Sequence, residues 1–489
     1  MKFKDFFEAL QENNLILEAS FNQSVLDREV VKISYNSKDV QEGTLFFCKG
    51  EAFKEEYLKM ALEKAFAFVY GPEFSPKGEY NKPFIKVNDT RKTLAICANL
   101  FYDDVWKNML MIGITGTKGK TTVAYYLKSI IETALKKRIG FLSSVDTFDG
   151  TRQEESLLTT PETFELHALF DKMVSSGMDT CVMEVSSQAL KYHRSMGIMY
   201  DYGVFTNISN DHISEGEHTD LEDYFTSKLI LMSQCKKAVI NMDIPDEFRD
   251  RIVEKADAVI GYGMKEGDYT AKNVKSDLSG LSFTLVTPKG EEDVFIPMIG
   301  DFNISNALCA SAIAIDMGLY PSDVTEGLKN IFVPGRMNIK YDEERDVLGI
   351  VDFAHNTLSF EALKETVLGI RPNARYTCVY GGSGGKGINR RKDCTAVTQT
   401  FASRIILTEE DPGFDDNREI CEEIKGYVTN PNVEVLIIEN REEAIKYAFE
   451  TAEPGEVVMI TGKGADTTIK RGAKYYTVKS DIEIMNDCI

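Results

Sequence analysis

The decapeptide GITGTKGKTT, residues 113–122, follows the apolar run MLMI and precedes VAYYLKSII, whose apolar residues recur at helical spacing. Strand, glycine turn and helix start in that order imply an α/β layer with an anion cradle at the end of a strand. The usual phosphate-loop form is G-x-x-x-x-G-K-[ST], and here Ile114 stands at the first glycine position, with Gly113 and Gly116 on either side. Gly116, Gly119, Lys120 and Thr121 keep the working parts. Small residues let backbone N–H groups face an anion, Lys120 can reach terminal phosphates, and the Thr121 hydroxyl can ligate Mg²⁺. ATP use is the expectation. The motif alone does not choose between hydrolysis, kinase and ligase chemistry, and an ordinary strand–helix turn is the bland alternative.

At 489 residues the chain has room for roughly three domains of about 150 residues. Its apolar runs are short and broken by charge, and none reaches the ~18 residues of a membrane span. The start, MKFKDFFEALQENN, reads as an amphipathic helix and not as a secretory leader, so a cytoplasmic protein without stable membrane association is expected. Nine scattered cysteines form no CxxC pair and no zinc spacing, which fits reduced thiols. A net charge of -21 argues against nucleic acid as a partner, although an anionic nucleotide can still bind a local cationic site.

Three segments follow from the patterning. Residues 1–108 alternate strands and helices, with VKISYNSKDVQEGTLFFCKG reading as strand, polar turn, strand. Residues 109–336 carry the phosphate loop, then the short strands TCVMEVSS, YGVFTNIS and AVINMD, and an antiparallel stretch from residue 269 to 297. Residues 337–489 repeat a strand-then-polar-loop plan in VLGIVDFAHN, ARYTCVYGGSGGKG, RIILTEEDP and VVMITGKGAD, a dinucleotide-type fold without the G-x-G-x-x-G fingerprint. Glu184 and His212 each end a strand and could hold Mg²⁺. Oxygen ligands suit that ion better than imidazole, and a cap acid and a hydrogen-bonded loop histidine are the structural alternatives.

GTKGKTT, LTTPE, EVSSQAL, TNISNDHI, GDFNISNALCA, VPGR and VDFAHN occur in one order, and together they resemble the Mur ligase family of peptidoglycan synthesis. YNSKDVQEGTLFFCKG resembles the branch that adds the third amino acid. The resemblance covers nearly the whole chain. It implies an α/β, three-domain Mur ligase architecture with a central P-loop ATPase domain and a C-terminal Rossmann-like domain. It also implies amide formation through an acyl phosphate, with ATP as co-substrate, Mg²⁺, and UDP-N-acetylmuramoyl-L-alanyl-D-glutamate as acceptor.

Site residues implied by the resemblance fall in three groups. Gly116, Thr117, Lys118, Gly119, Lys120, Thr121 and Thr122 would cradle the phosphates, while Asn303, Arg336, Asp352, His355 and Asn356 line the rest of the ATP site. Lys120, Glu184, His212 and Lys228 would be catalytic. Thr121, Glu184, His212 and Lys228 would organise Mg²⁺, with Lys228 at the lysine that the family carbamylates. Ser37, Lys38, Thr159, Thr160, Ser186, Gln188 and Arg194 would grip the acceptor, though YNSK stands where the family more often has YDSR. Helix capping before PETF is the alternative for Thr159 and Thr160. His193 and His218 read as solvated loop residues.

The diaminopimelate-using branch carries D-N-P-R and G-K-G-H-E. This chain has Glu410, Asp411, Pro412 and Gly413, then GKGAD ending in Asp466. The arginine is absent and carboxylates accumulate, so a side chain ending in ammonium is favoured over one ending in carboxylate. L-lysine fits, and L-ornithine obeys the same charge rule. The α-carboxylate of the incoming amino acid falls to Arg390 or Arg391, because Gly387 takes the approximate position of the usual arginine. A folate polyglutamylating ligase and a non-catalytic regulator on the same fold are the remaining alternatives.

Overall fold

A computed structural model describes residues 1–210, 217–385 and 387–489, so His212 lies outside the described residues. The described chain divides into two compact units: Met1–Gly113, Arg138–Gly203 and Ile230–Lys236 in the first, and Ile114–Lys137, Val204–Leu229 and Lys237–Ile489 in the second.

The amphipathic N-terminus forms the helix Phe3–Glu12, whose Phe3, Phe6 and Leu10 are buried at helical spacing. It packs on a five-stranded sheet ordered Ile16–Ser20, Phe84–Val87, Ala67–Tyr70, Thr44–Phe47, Lys32–Ser34. The strand–turn–strand stretch around YNSK is not a hairpin: Lys32–Ser34 and Thr44–Phe47 pair in parallel. Parallel pairing needs a crossover, and residues 35–43 supply it.

The phosphate-loop strand, Leu110–Thr115, is the fourth of eight in the order Val259–Tyr262, Cys235–Asn241, Tyr200–Phe205, Leu110–Thr115, Thr180–Glu184, Gly140–Leu142, Asp146–Phe148, Gln153–Glu155. The short apolar runs read as strands are therefore strands. Residues 270–296 form an antiparallel meander, as their alternation predicts. The C-terminal sheet runs Asn338–Asp342, Val347–Asp352, Val457–Thr461, Tyr376–Tyr380, Arg404–Leu407, Glu434–Ile437. Its last five strands are parallel, which brings the polar loops after them to one edge. Among the described residues no helix is long and apolar enough to cross a membrane.

One core residue gives a stability prediction. His167, on the helix Thr163–Ser175, is fully buried, and neither ring nitrogen has a hydrogen-bond partner. Its ring stacks on Tyr102 and meets Phe170 edge-on. Burial pushes the imidazole from 6.5 down to about 4, against a smaller opposing pull from Asp104. Above pH 6.5 the ring is neutral whether the chain is folded or not. Below that, the unfolded chain takes up a proton that the folded chain refuses, so stability falls between pH 6.5 and about 4, by about 3 kcal/mol in all. Denaturant unfolding of His167→Leu across this range should show a flatter profile than wild type.

Candidate functional site

The phosphate loop needs glycine at two positions. Gly116 and Gly119 have φ of 141° and 86°, and a Cβ there would sit 1.9 Å from Thr206 Oγ1 and 2.5 Å from Asn306 Oδ1. Asn207 fixes the loop from the neighbouring strand end: its carbonyl accepts the Thr117 N–H at 3.0 Å and its Oδ1 the Lys118 N–H at 2.8 Å. Gly119 caps the helix Lys120–Leu135, whose first-turn amides and dipole favour an anion. Lys120 folds back over the loop and donates to the Gly116 and Thr117 carbonyls at 2.9 and 3.1 Å.

Lys228, on the helix Leu221–Leu229, is buried and donates to the same Gly116 carbonyl at 2.9 Å, with its ammonium 4.3 Å from the centre of the Tyr224 ring. Two ammonium groups thus converge on one carbonyl oxygen. His218 is not solvated: it is buried and its Nδ1 lies 3.2 Å from Asp223.

The second unit also brings Arg336 and His355, two of the residues expected on the nucleotide side, to this loop. Arg336 donates from Nη2 to the Thr121 hydroxyl at 3.3 Å and lies 4.5 Å over the Phe353 ring. The Asp352 carboxylate, at the end of its strand, accepts the Met337 N–H at 2.9 Å; burial pushes this carboxyl above its usual range, against Arg336. His355 lies 2.7 Å from the Phe353 carbonyl through Nδ1 and 3.4 Å from the Lys118 ammonium through Nε2, a geometry that suits the Nδ1–H tautomer. Asn356 caps the helix Thr357–Ile370. The Asn303 amide donates to the carbonyl of Ile299, just before its helix Phe302–Asp316, and accepts from Asn306. Asn306, one turn on and unremarked in the sequence, is the one that lies against Gly119.

A cleft at the ends of the C-terminal strands is lined by His355, Ser383, Arg390, Arg391, Glu410 and Thr461, among others. Burial holds the Glu410 carboxyl above its usual range, against Arg441 and the Ser383 hydroxyl, which donates to it at 3.0 Å. Arg391 is committed to Glu423 at 2.6 Å and the Ser383 carbonyl at 2.6 Å, and Arg390 lines the same cleft. Asp411 and Asp466 both reach Lys463, at 3.2 Å each. Burial opposes the Lys463 charge, yet the two carboxylates hold its ammonium above its usual range. Burial pushes the Asp466 carboxyl above its usual range, against Lys463 and Arg336.

The loop carrying Lys463 is held by a buried pair unseen in the sequence. Arg441 binds Asp481 and donates to the Thr461 carbonyl, and Asp481 accepts the Gly464 N–H. Gly464 also touches Gly335 main chain to main chain; both have positive φ, and a Cβ on Gly335 would sit 2.7 Å from the Ala465 nitrogen.

In the first unit Thr160 does not cap a helix. Its hydroxyl donates to the Glu184 carbonyl and accepts the Ser186 N–H, each at 3.0 Å, and so ties the LTTPE loop to the strand end. Glu162 is the residue before the helix Thr163–Ser175. Thr159 is half-buried beside it. Ser186 caps the short helix Ser187–Lys191, which carries a half-buried Gln188. Arg194 donates to the Thr160 carbonyl at 3.1 Å. The Glu184 carboxylate is buried and accepts the Ser144 N–H at 2.8 Å. Ser37 and exposed Lys38 sit in a turn closed by Asn36, whose Oδ1 accepts the Lys38 N–H, so asparagine does what aspartate does elsewhere.

A strand-to-helix phosphate loop with acids, cations and a histidine gathered at parallel strand ends defines a nucleotide-triphosphate-using α/β enzyme. Two family models match: the Mur ligase middle domain over residues 114–314, and the Mur ligase glutamate ligase domain over residues 335–464. The UDP-N-acetylmuramyl-tripeptide synthetase of Lactobacillus delbrueckii subsp. bulgaricus is 36% identical over 482 residues, covering 94% of this chain and 92% of its own. The UDP-N-acetylmuramoyl-L-alanyl-D-glutamate--L-lysine ligase of Streptococcus thermophilus is 35% identical over 455 residues, covering 92% and 91%. Among solved structures, the MurF ligase of Thermotoga maritima in complex with ADP superposes with a TM-score of 0.62 at 16% identity, covering 88% and 94%. The chain belongs to the Mur ligase family. It is an ATP-dependent ligase that forms amide bonds.

Proposed function

We infer that this chain joins L-lysine to UDP-N-acetylmuramoyl-L-alanyl-D-glutamate in the cytoplasm, with residues 1–108 holding the acceptor, 109–336 the ATP phosphates and 337–489 the incoming amino acid. The observation that carries this reading is the Asp411–Lys463–Asp466 cluster, where two carboxylates share one resident ammonium. It suits a second, substrate ammonium and repels the extra carboxylate of diaminopimelate. The names of the relatives support the same choice.

In the reaction, the D-glutamyl side-chain carboxylate attacks the γ-phosphorus of ATP, and ADP leaves. The lysine α-amine then attacks the acyl phosphate, and the tetrahedral adduct expels phosphate and gives up a proton to form the amide. Lys120 moves from the loop carbonyls to the β/γ-phosphates and neutralises charge developing there. Asp352 and His355 hold the nucleoside side, and Arg336 orients Thr121.

Mg²⁺ fits the donors present. Thr121 offers a hydroxyl in the first turn of the helix behind the phosphate loop, and Glu184, in the first unit, offers a carboxylate. An ion that takes one or two carboxylates plus substrate phosphates suits such a sparse set. Bound Mg²⁺ would supply charge neutralisation at the phosphates. Lys228 would add an oxygen pair once its amine has captured CO₂ as a carbamate with loss of a proton.

Turnover with ATP, the UDP-linked acceptor and a panel of lysine, ornithine and meso-diaminopimelate tests the reading. We expect lysine to be used best, with kcat/KM at least ~100-fold above diaminopimelate, since a buried like-charge contact costs several kcal/mol. Preference for diaminopimelate would overturn it.

A further inference from the structure

Four separate segments of the first unit deliver charge to one point. Lys49 follows the strand Thr44–Phe47, Arg91 opens the helix Thr90–Phe101, Arg194 follows the helix Ser187–Lys191, and Glu162 precedes the helix Thr163–Ser175. The Glu162 carboxylate receives Lys49 at 2.6 Å, Arg194 at 2.6 Å and Arg91 at 3.1 Å. Three cations therefore share one carboxylate. Glu165, one turn further on, accepts the Tyr35 hydroxyl, and even with it the positive charges outnumber the negative.

The surroundings favour more negative charge. Burial lowers the Lys49 pKa, and Glu162 does not restore it; Arg91 adds to the depression. Burial would raise the Glu162 carboxyl, but Lys49, Arg194 and Arg91 together hold it below its usual range. The thirteen-residue helix behind Glu162 points its amide end at the cluster. The Arg194 Nε–H is buried with no hydrogen-bond partner. Yet the side chains of Arg91 and Glu162 keep 28% and 20% of their surface, so the cluster opens to solvent.

We propose that Lys49, Arg91 and Arg194 form a binding site for an oxyanion of the acceptor, phosphate or carboxylate, and that Glu162 is the internal counter-ion this oxyanion displaces. The inference rests on the acceptor proposed above. Three cations held close without a ligand repel one another, and a single carboxylate gathers them at reduced cost. An incoming oxyanion then meets a preassembled, under-neutralised site, and its charge-assisted hydrogen bonds replace those of Glu162.

Displacement sets the sign of the test. Calorimetric titration of the full chain, without ATP or amino acid, uses uridine, UDP and UDP-N-acetylmuramoyl-L-alanyl-D-glutamate as probes. Lys49→Ala and Arg91→Ala should each weaken the anionic probe about tenfold, and Arg91→Lys should recover part of the loss. Glu162→Gln keeps an oxygen acceptor but removes the competing charge, and should tighten binding several-fold. Uridine, which is neutral, should bind all variants alike.

Effects on UDP itself would assign the site to the diphosphate. Effects on the UDP-linked peptide with UDP unchanged would assign it to the peptide carboxylate. Either supports the proposal. Weaker binding in Glu162→Gln, or anion affinities unchanged in the lysine and arginine variants, overturns it. If the wild-type chain binds none of the three probes, the acceptor assignment itself fails and the inference falls with it.

Discussion

Lys120→Ala should reduce ATP-dependent formation of the lengthened peptide about a thousandfold in kcat/KM, with the thermal unfolding midpoint little changed. In the structure the Lys120 ammonium donates to two carbonyls of its own loop, and Gly116, Gly119, Asn207 and the helix cap also set the loop shape. The proposed role of Lys120 is to meet the charge that moves onto the leaving ADP, a role that the loop glycines and Asn207 do not share. Release of ADP and phosphate, followed with the acceptor and lysine present, reads the loss directly. Activity within a few-fold of wild type would remove Lys120 from its proposed role.

Lys228→Ala should cost about a hundred- to a thousandfold, and added acetate should restore part of the activity in proportion to its concentration. Lys228 is buried and donates to the carbonyl that also receives Lys120, which places its amine beside the phosphate loop. Reaction of its neutral amine with CO₂ reverses the charge, and the carbamate can then pair with a cation instead of opposing one. Carbon-13 bicarbonate should give a carbamate resonance in wild type and none in Lys228→Ala. Full activity in carbonate-free buffer, with no such resonance, would leave Lys228 as a plain structural cation.

The strand–loop–helix core was legible because its signals are local. Apolar runs such as LMIGIT and VVMIT are short and are followed by glycine or polar residues, and each proved to be a strand. The phosphate loop survived the missing first glycine, because the two positions that need a left-handed backbone, Gly116 and Gly119, are both kept. What local patterns hide is partnership across distance. Lys49 and Glu162 lie 113 residues apart and Arg441 and Asp481 lie 40 apart, and nothing in either neighbourhood announces the other. Thr160 followed by Pro161 looks like a helix cap, yet its hydroxyl bridges to the strand ending at Glu184 because tertiary contact outbids the local preference. Asn303 and Asn306 lie one turn apart on one helix, and it takes the approach of Gly119 to show that Asn306 lies against the phosphate loop.

At Gly335 and Gly464 bare backbone lies on bare backbone, and Gly335 also receives the Phe353 N–H on its carbonyl. The stretch that positions Asp352 and the stretch that carries Lys463 are thereby splined together, with no side chain between them to yield. A side chain added at either glycine would wedge the two stretches apart, so the spacing between the strand ending at Asp352 and the turn holding Lys463 is set by main chain alone.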